Sequence, residues 1–142
     1  MNFNKLISGR MDRAPFWGYV ILIWVARKIS KYILLIGLEK PSALSAVLVM
    51  YFLIDLLLTL ILTCAMIKRL HDLNWPTFLA FLPLIGYTLS LPSILGVISG
   101  RVVLLGAILG WVTIALLICC LFLKGDKGPN KYGPDPLEQK AN

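Results

Sequence analysis

Apolar residues in this chain come in long unbroken runs separated by short charged clusters, without the period-two alternation of a strand or the narrow stripe of a soluble helix. About 20 residues rising ~1.5 Å each cross a hydrocarbon core of about 30 Å, so stretches free of Asp, Glu, Lys and Arg mark candidate membrane spans. The clearest is Val102 to Leu123, 22 residues between Arg101 and Lys124. Ser42 to Ile67 carries one acid, Asp55, near its centre and ends at Lys68 and Arg69. Asn74 to Gly100 is uncharged but interrupted by Pro76, Pro83 and Pro92, each of which removes a backbone donor and bends or breaks a helix. Pro76 suits the first turn of a helix that begins after Asn74. The first run, Pro15 to Ala26, covers only about 18 Å as a helix before Arg27, Lys28 and Lys31 intervene, so the span either stops short or carries cations inside.

The pattern predicts an all-α integral membrane protein with four transmembrane helices, the third kinked by proline and both termini on one side. The spans are placed at about 15–38, 42–67, 75–99 and 102–123, after an amino-terminal interfacial segment, 1–14, and before a Gly/Pro-rich tail, 124–142. A cleaved signal peptide is the competing account of the basic amino terminus, but Arg27-Lys28 follows Ala26 where a small-x-small cleavage site belongs.

Composition supports the membrane reading: of 142 residues 58% are hydrophobic and 15% charged, against about 25% charged in a soluble domain. The net charge of +7 points to orientation and lipid headgroups before nucleic acid. Cys64, Cys119 and Cys120 lie in apolar runs with no spaced framework, and read as reduced filler. No cofactor or metal is expected.

With four spans, nine basic residues share the side of the termini: Lys5, Arg10, Arg13, Lys68, Arg69, Lys124, Lys127, Lys131 and Lys140. The opposite loops hold Lys40 and Arg101, with Arg27, Lys28 and Lys31 at or inside the first helix. The positive-inside bias then puts both termini in the cytoplasm. If spans one and two form a hairpin turning near Glu39 to Pro41, Arg27 and Asp55 lie at the same depth. An intramembrane charge costs roughly 2.5 to 3.5 kcal/mol, so the two are expected to neutralise each other. Lys28 and Lys31 are expected to snorkel toward the outer headgroups.

Three motifs flank the spans. They are Gly9-Arg10-x-x-Arg13-x-x-Phe16-Trp17, Arg69-Leu70-His71-Asp72 with Trp75 behind it, and Gly125-x-x-Gly128-x-Asn130-x-Tyr132-Gly133-Pro134-Asp135-Pro136. In this order and spacing they resemble the YhaH-like family of bacterial inner-membrane proteins, catalogued as a domain of unknown function numbered 805. The resemblance runs from about Gly9 to Pro136 and implies an inner-membrane protein without an established activity, so it carries over no catalytic residue. Family members usually have an acid where Pro15 stands, and many run almost directly from the Pro83–Gly86 element into the tail motif. This chain inserts about 24 further residues there and gains a helix.

The motifs have physical content of their own. Arg10 and Arg13 suit lipid phosphates, while Phe16, Trp17 and Tyr19 suit the headgroup boundary. His71-Asp72 follows the second span in a loop, where Asp72 fixes the imidazole or pairs with Arg69. The tail lacks the Gly-Lys-Ser/Thr ending of a phosphate loop. It either folds back through Asn130, Tyr132 and Asp135 onto Arg69 and His71, or stays mobile. Arg10, Arg13, Arg69, His71, Asp72, Asn130, Tyr132 and Asp135 thus form a candidate cytoplasmic cluster, beside the candidate intramembrane pair Arg27 and Asp55.

The expected function is non-enzymatic: a small multi-pass protein of the bacterial inner membrane acting through lipid or protein contacts at its cytoplasmic face. Anionic headgroups, a protein partner or a homo-oligomer are the partners, and nucleic acid is not. The alternative is a subunit of an oligomeric ion or solute transporter or channel that uses Asp55 and the proline-broken third helix.

Overall fold

The computed structural model describes residues 7–39, 42, 44–94 and 100–138. Most of the hairpin turn expected near Glu39 to Pro41, the end of the third expected span, and Lys5 and Lys140 lie outside the described residues. The architecture is helical: α1 is Arg13–Leu38, α2 is Leu44–Asp72, a 3-10 helix covers Thr77–Phe81, α3 is Leu82–Ile94 and α4 is Arg101–Phe122. Two of these, α2 and α4, are long and apolar enough to cross a membrane.

Asp12 starts α1, its carboxylate accepting the Ala14 N–H at 3.0 Å, and Pro15 follows in the first turn, where an absent N–H costs nothing. The helix continues unbroken through Arg27, Lys28 and Lys31 to Leu38, so the first apolar run does not stop short. Lys28 departs from expectation. Its ammonium lies 5.5 Å from the Trp24 ring centroid, one turn back toward the start of α1 and away from the side to which it was to snorkel. Side chains on a helix lean toward its amino end, and the indole face offers a cation–π partner there.

At one end of the α1/α2 hairpin the Met11 N–H donates to the Lys68 carbonyl at 3.1 Å. Near the other, Gly37 passes so close to Val47 that a Cβ would sit 2.5 Å from Cγ1, so only glycine allows that approach. The two helices are therefore antiparallel neighbours along their length.

The second helix runs five residues beyond the apolar stretch that ended at Ile67, placing Arg69, His71 and Asp72 in its last turns and not in a loop. It continues because its inner face keeps burying apolar groups, Met66, Ile67 and Leu70. It then stops at Asn74, whose φ is 55°. Trp75 N–H reaches back to the Leu70 carbonyl (2.9 Å) and Asn74 N–H to that of His71 (3.2 Å), the paired closure of a Schellman motif.

The third element is not one α-helix over 75–99. Pro76 caps a 3-10 turn, after which α3 begins at Leu82 with Pro83 at its second position, again where no donor is needed, and Pro92 inside it.

The core joins Phe16 and Ile23 of α1, Leu62 to Leu70 of α2, Ala80, and Leu116 and Cys120 of α4. It sits where the start of α1, the end of α2 and the end of α4 meet. Large apolar side chains elsewhere, such as Leu22, Leu53 and Trp111, face outward.

Candidate functional site

Asp72 is the centre of that end of the bundle. Its Oδ1 accepts from Arg10 Nε at 3.1 Å and its Oδ2 accepts from Arg69 Nη1. Both guanidinium groups are buried, and neither is held by the carboxylate alone. Arg69, 0% exposed, donates from Nε to the Cys120 carbonyl (2.8 Å), from Nη1 to that of Met11 (3.3 Å) and from Nη2 to that of Leu123. Arg10 donates to the carbonyls of Gly128 (2.6 Å) and Asp126. The two arginines thereby satisfy carbonyls at and beyond the end of α4, groups that a helix end leaves without intrahelical donors. A planar fork with five donors can do this and a lysine cannot.

The tail enters through Gly125, where a Cβ would stand 2.0 Å from Asp72 Oδ2, and Asp126 N–H donates to the Asp72 carbonyl at 2.9 Å. It folds back on the bundle over 125–137. Asn130 and Gly133 exchange N–H···O bonds of 3.0 Å across a tight turn, with Gly133 at φ 139°. That turn presents Tyr132 to His71: the rings stack with centroids 3.8 Å apart and planes 7° off parallel. Asn130 Nδ2 donates to the His71 carbonyl at 2.9 Å.

The imidazole is oriented from both sides, by Gly9 and Thr77 and not by Asp72. Nδ1 lies 3.1 Å from the Gly9 carbonyl, which can only accept, so Nδ1 carries the proton. Nε2 then faces the Thr77 hydroxyl at 3.1 Å, and Tyr132 Oη lies 3.5 Å beyond. Asp72 pairs with arginine and leaves the imidazole alone.

Of the expected cluster, Arg10, Arg69, His71, Asp72, Asn130 and Tyr132 come together. Arg13 is exposed, its one carbonyl contact being Phe122 at 3.5 Å. Asp135 does not reach Arg69 or His71. It folds the tail on itself, accepting from Leu137 N–H (2.9 Å) and Gly128 N–H (3.0 Å), and these bonds, led by that of Leu137, hold its carboxyl below the usual range.

Arg27 and Asp55 also meet, with Nε 3.0 Å from Oδ1. Arg27 Nη2 donates to Thr59 Oγ1 at 2.6 Å, and Thr59 donates to the Asp55 carbonyl at 2.7 Å. Asp55 is 18% exposed and Arg27 39%, so the acid lies the deeper. Thr59 and Thr77 were missed. Thr59 was findable, one helical turn after Asp55 on the same face; Thr77 carried no comparable signal.

A cavity of about 140 Å³ opens beside the cluster, between Arg13, Lys124 and Lys127 on one hand and Asp12, Asp126 and Asp135 on the other. Among the described residues no three His, Cys, Asp or Glu side chains gather as a metal site would require. The arrangement is a clasp: it ties the segment before α1, the end of α2 and the tail after α4 into one ion-paired and stacked unit. No curated protein and no solved structure matches the chain. A family model described as "Protein of unknown function (DUF805)" matches residues 6–134, nearly the whole length that the three motifs span, and the chain belongs to that family.

Proposed function

We propose that the chain is a four-span protein of the bacterial inner membrane, with both termini cytoplasmic, and that it acts without catalysis through lipid or protein contacts at its cytoplasmic face. The observation that carries this reading is the division of labour among the cations around the clasp. Arg10 and Arg69 are consumed internally, whereas Arg13, Lys124, Lys127 and Lys131 are exposed around it. Exposed cations at the end of apolar helices suit anionic headgroups, each contributing about 1 kcal/mol near such a surface.

The transporter reading would use Asp55 as a titrating site. Its ion pair with Arg27 and the Thr59 bridge favour a lock between α1 and α2 instead, since a paired intramembrane charge is the cheaper state. Reporter fusions after Asn142 and near residues 40 and 97 test the topology: cytoplasmic signal from the first and periplasmic signal from the other two are expected. Periplasmic signal after Asn142 would remove one span and overturn the reading. Flux through reconstituted protein that depends on Asp55 would favour the transporter.

A further inference from the structure

A second cavity, of about 330 Å³, lies along the α1/α2 hairpin and is bounded toward the clasp by Met11, whose carbonyl accepts from Arg69. Its α2 wall runs from Leu57 through Leu60 and Ile61 to Cys64, and Tyr19 of α1 stands on its lining too. The half-buried Cys64 and the small Ala65 behind it leave the depression. From Leu57 to Lys68 the wall extends about 16 Å along the helix. Every α2 residue that lines it is apolar until the last, Lys68, the first residue after the apolar run.

An apolar trough that ends in a cation at the edge of a hydrophobic run has the polarity of one ligand class, an amphiphile with a hydrocarbon chain beneath a negative head. We propose that this groove binds an anionic phospholipid, one acyl chain lying along Leu57 to Cys64 and the headgroup phosphate at the Lys68 ammonium. The proposal rests on the membrane reading above and goes beyond it, because it places one lipid in one groove where that reading asks only for a basic face. The charge of the head decides the occupant. A zwitterionic lipid would fill the trough equally well but would bring its own cation to Lys68, and burial of the chain alone does not distinguish the two.

The test is native mass spectrometry of the full chain in detergent, titrated with phosphatidylglycerol or with phosphatidylcholine of the same acyl chains. The wild type is expected to hold phosphatidylglycerol about fivefold more tightly, the effect of one cation at a membrane surface. Lys68→Gln should bring the two lipids level, whereas Lys127→Gln, in the other cavity, should leave the preference intact. Cys64→Phe, which fills the depression, should weaken both lipids.

A preference untouched by Lys68→Gln, or lost equally with Lys127→Gln, overturns the groove while leaving the basic-face reading standing. No preference in the wild type overturns the groove as well. Should Cys64→Phe not fold, phosphatidylglycerol with a photoreactive acyl chain replaces it: labelling of 57–64 is expected, and labelling confined to α4 refutes the site. The topology fusions report separately on the membrane reading.

Discussion

Tyr132 lies flat against His71, ring centroids 3.8 Å apart, although 61 residues and two helices separate them in the chain. The stack joins the tail turn to the helical bundle beside the Asn130 bond to the His71 carbonyl, and the imidazole lies between Gly9 and Thr77. Tyr132→Ala should therefore cost the stacking contribution, about 0.5 to 1.5 kcal/mol, and Tyr132→Phe much less because the ring is kept. Limited proteolysis in detergent reads this directly. Faster cleavage between 125 and 137 in the alanine variant, with the phenylalanine variant near wild type, is expected; equal protection in both would show that the stack does not hold the tail.

Asp72 should be the most sensitive residue of the clasp. Asp72→Asn keeps the shape but leaves the buried Arg10 and Arg69 without their counter-charge, a loss of about 3 to 5 kcal/mol for a broken buried pair. Gly125→Ala should be severe for a different reason, since its Cβ would fall inside the Asp72 carboxylate. Thermal unfolding of the purified protein in one detergent compares them; a midpoint for either variant unchanged from wild type contradicts the arrangement.

The Arg27–Asp55 pair predicts coupling. Asp55→Asn leaves Arg27 with only its Thr59 partner and should reduce folded yield, and adding Arg27→Gln should restore part of it. Fluorescence-detected size exclusion of tagged protein measures the yield, and simple additivity of the two losses would mean that the pair contributes nothing to folding.

Acid should loosen the tail where Asp135 holds it. The Asp135 carboxyl is held below the ~4 of an unpaired aspartate, so its contribution is fully present above pH ~4 and is lost as pH falls through the lower folded value. Amide resonances of Gly128 and Leu137, which donate to it, should shift together with a midpoint below ~4. A midpoint at or above that value would mean these bonds do not favour the charged carboxylate. Asp135→Asn should abolish the titration.

Much of the clasp was legible in the sequence because charged residues at the edges of apolar runs are few and costly. Arg69 and Asp72 stand out for that reason, and so do Arg27 and Asp55, expected at one depth and found with Nε 3.0 Å from Oδ1, whereas Arg10, expected at lipid phosphates, is buried on Asp72 instead. The extent of α2 was not legible. A run of apolar residues ends at Ile67, yet the helix ends at Asp72, because burial of Leu70 and closure at Asn74 decide the terminus. Of the two roles open to Asp72, fixing the imidazole or pairing with Arg69, the structure has the second, because a sequence neighbour on a helix points elsewhere and the carboxylate turns to the two guanidinium groups.

By itself the sequence determined the helical material of this protein, the positions of its long apolar runs and the scarcity of charge within them, since hydrocarbon and water impose costs large enough to be written in composition. The tertiary structure alone decided which partners those charges found. Arg69 ends on the carbonyls of Met11, Cys120 and Leu123, and His71 on that of Gly9. Every residue carries such a carbonyl, so nothing in the order of side chains marks the ones that will be left open at a helix end and brought within reach of a buried arginine.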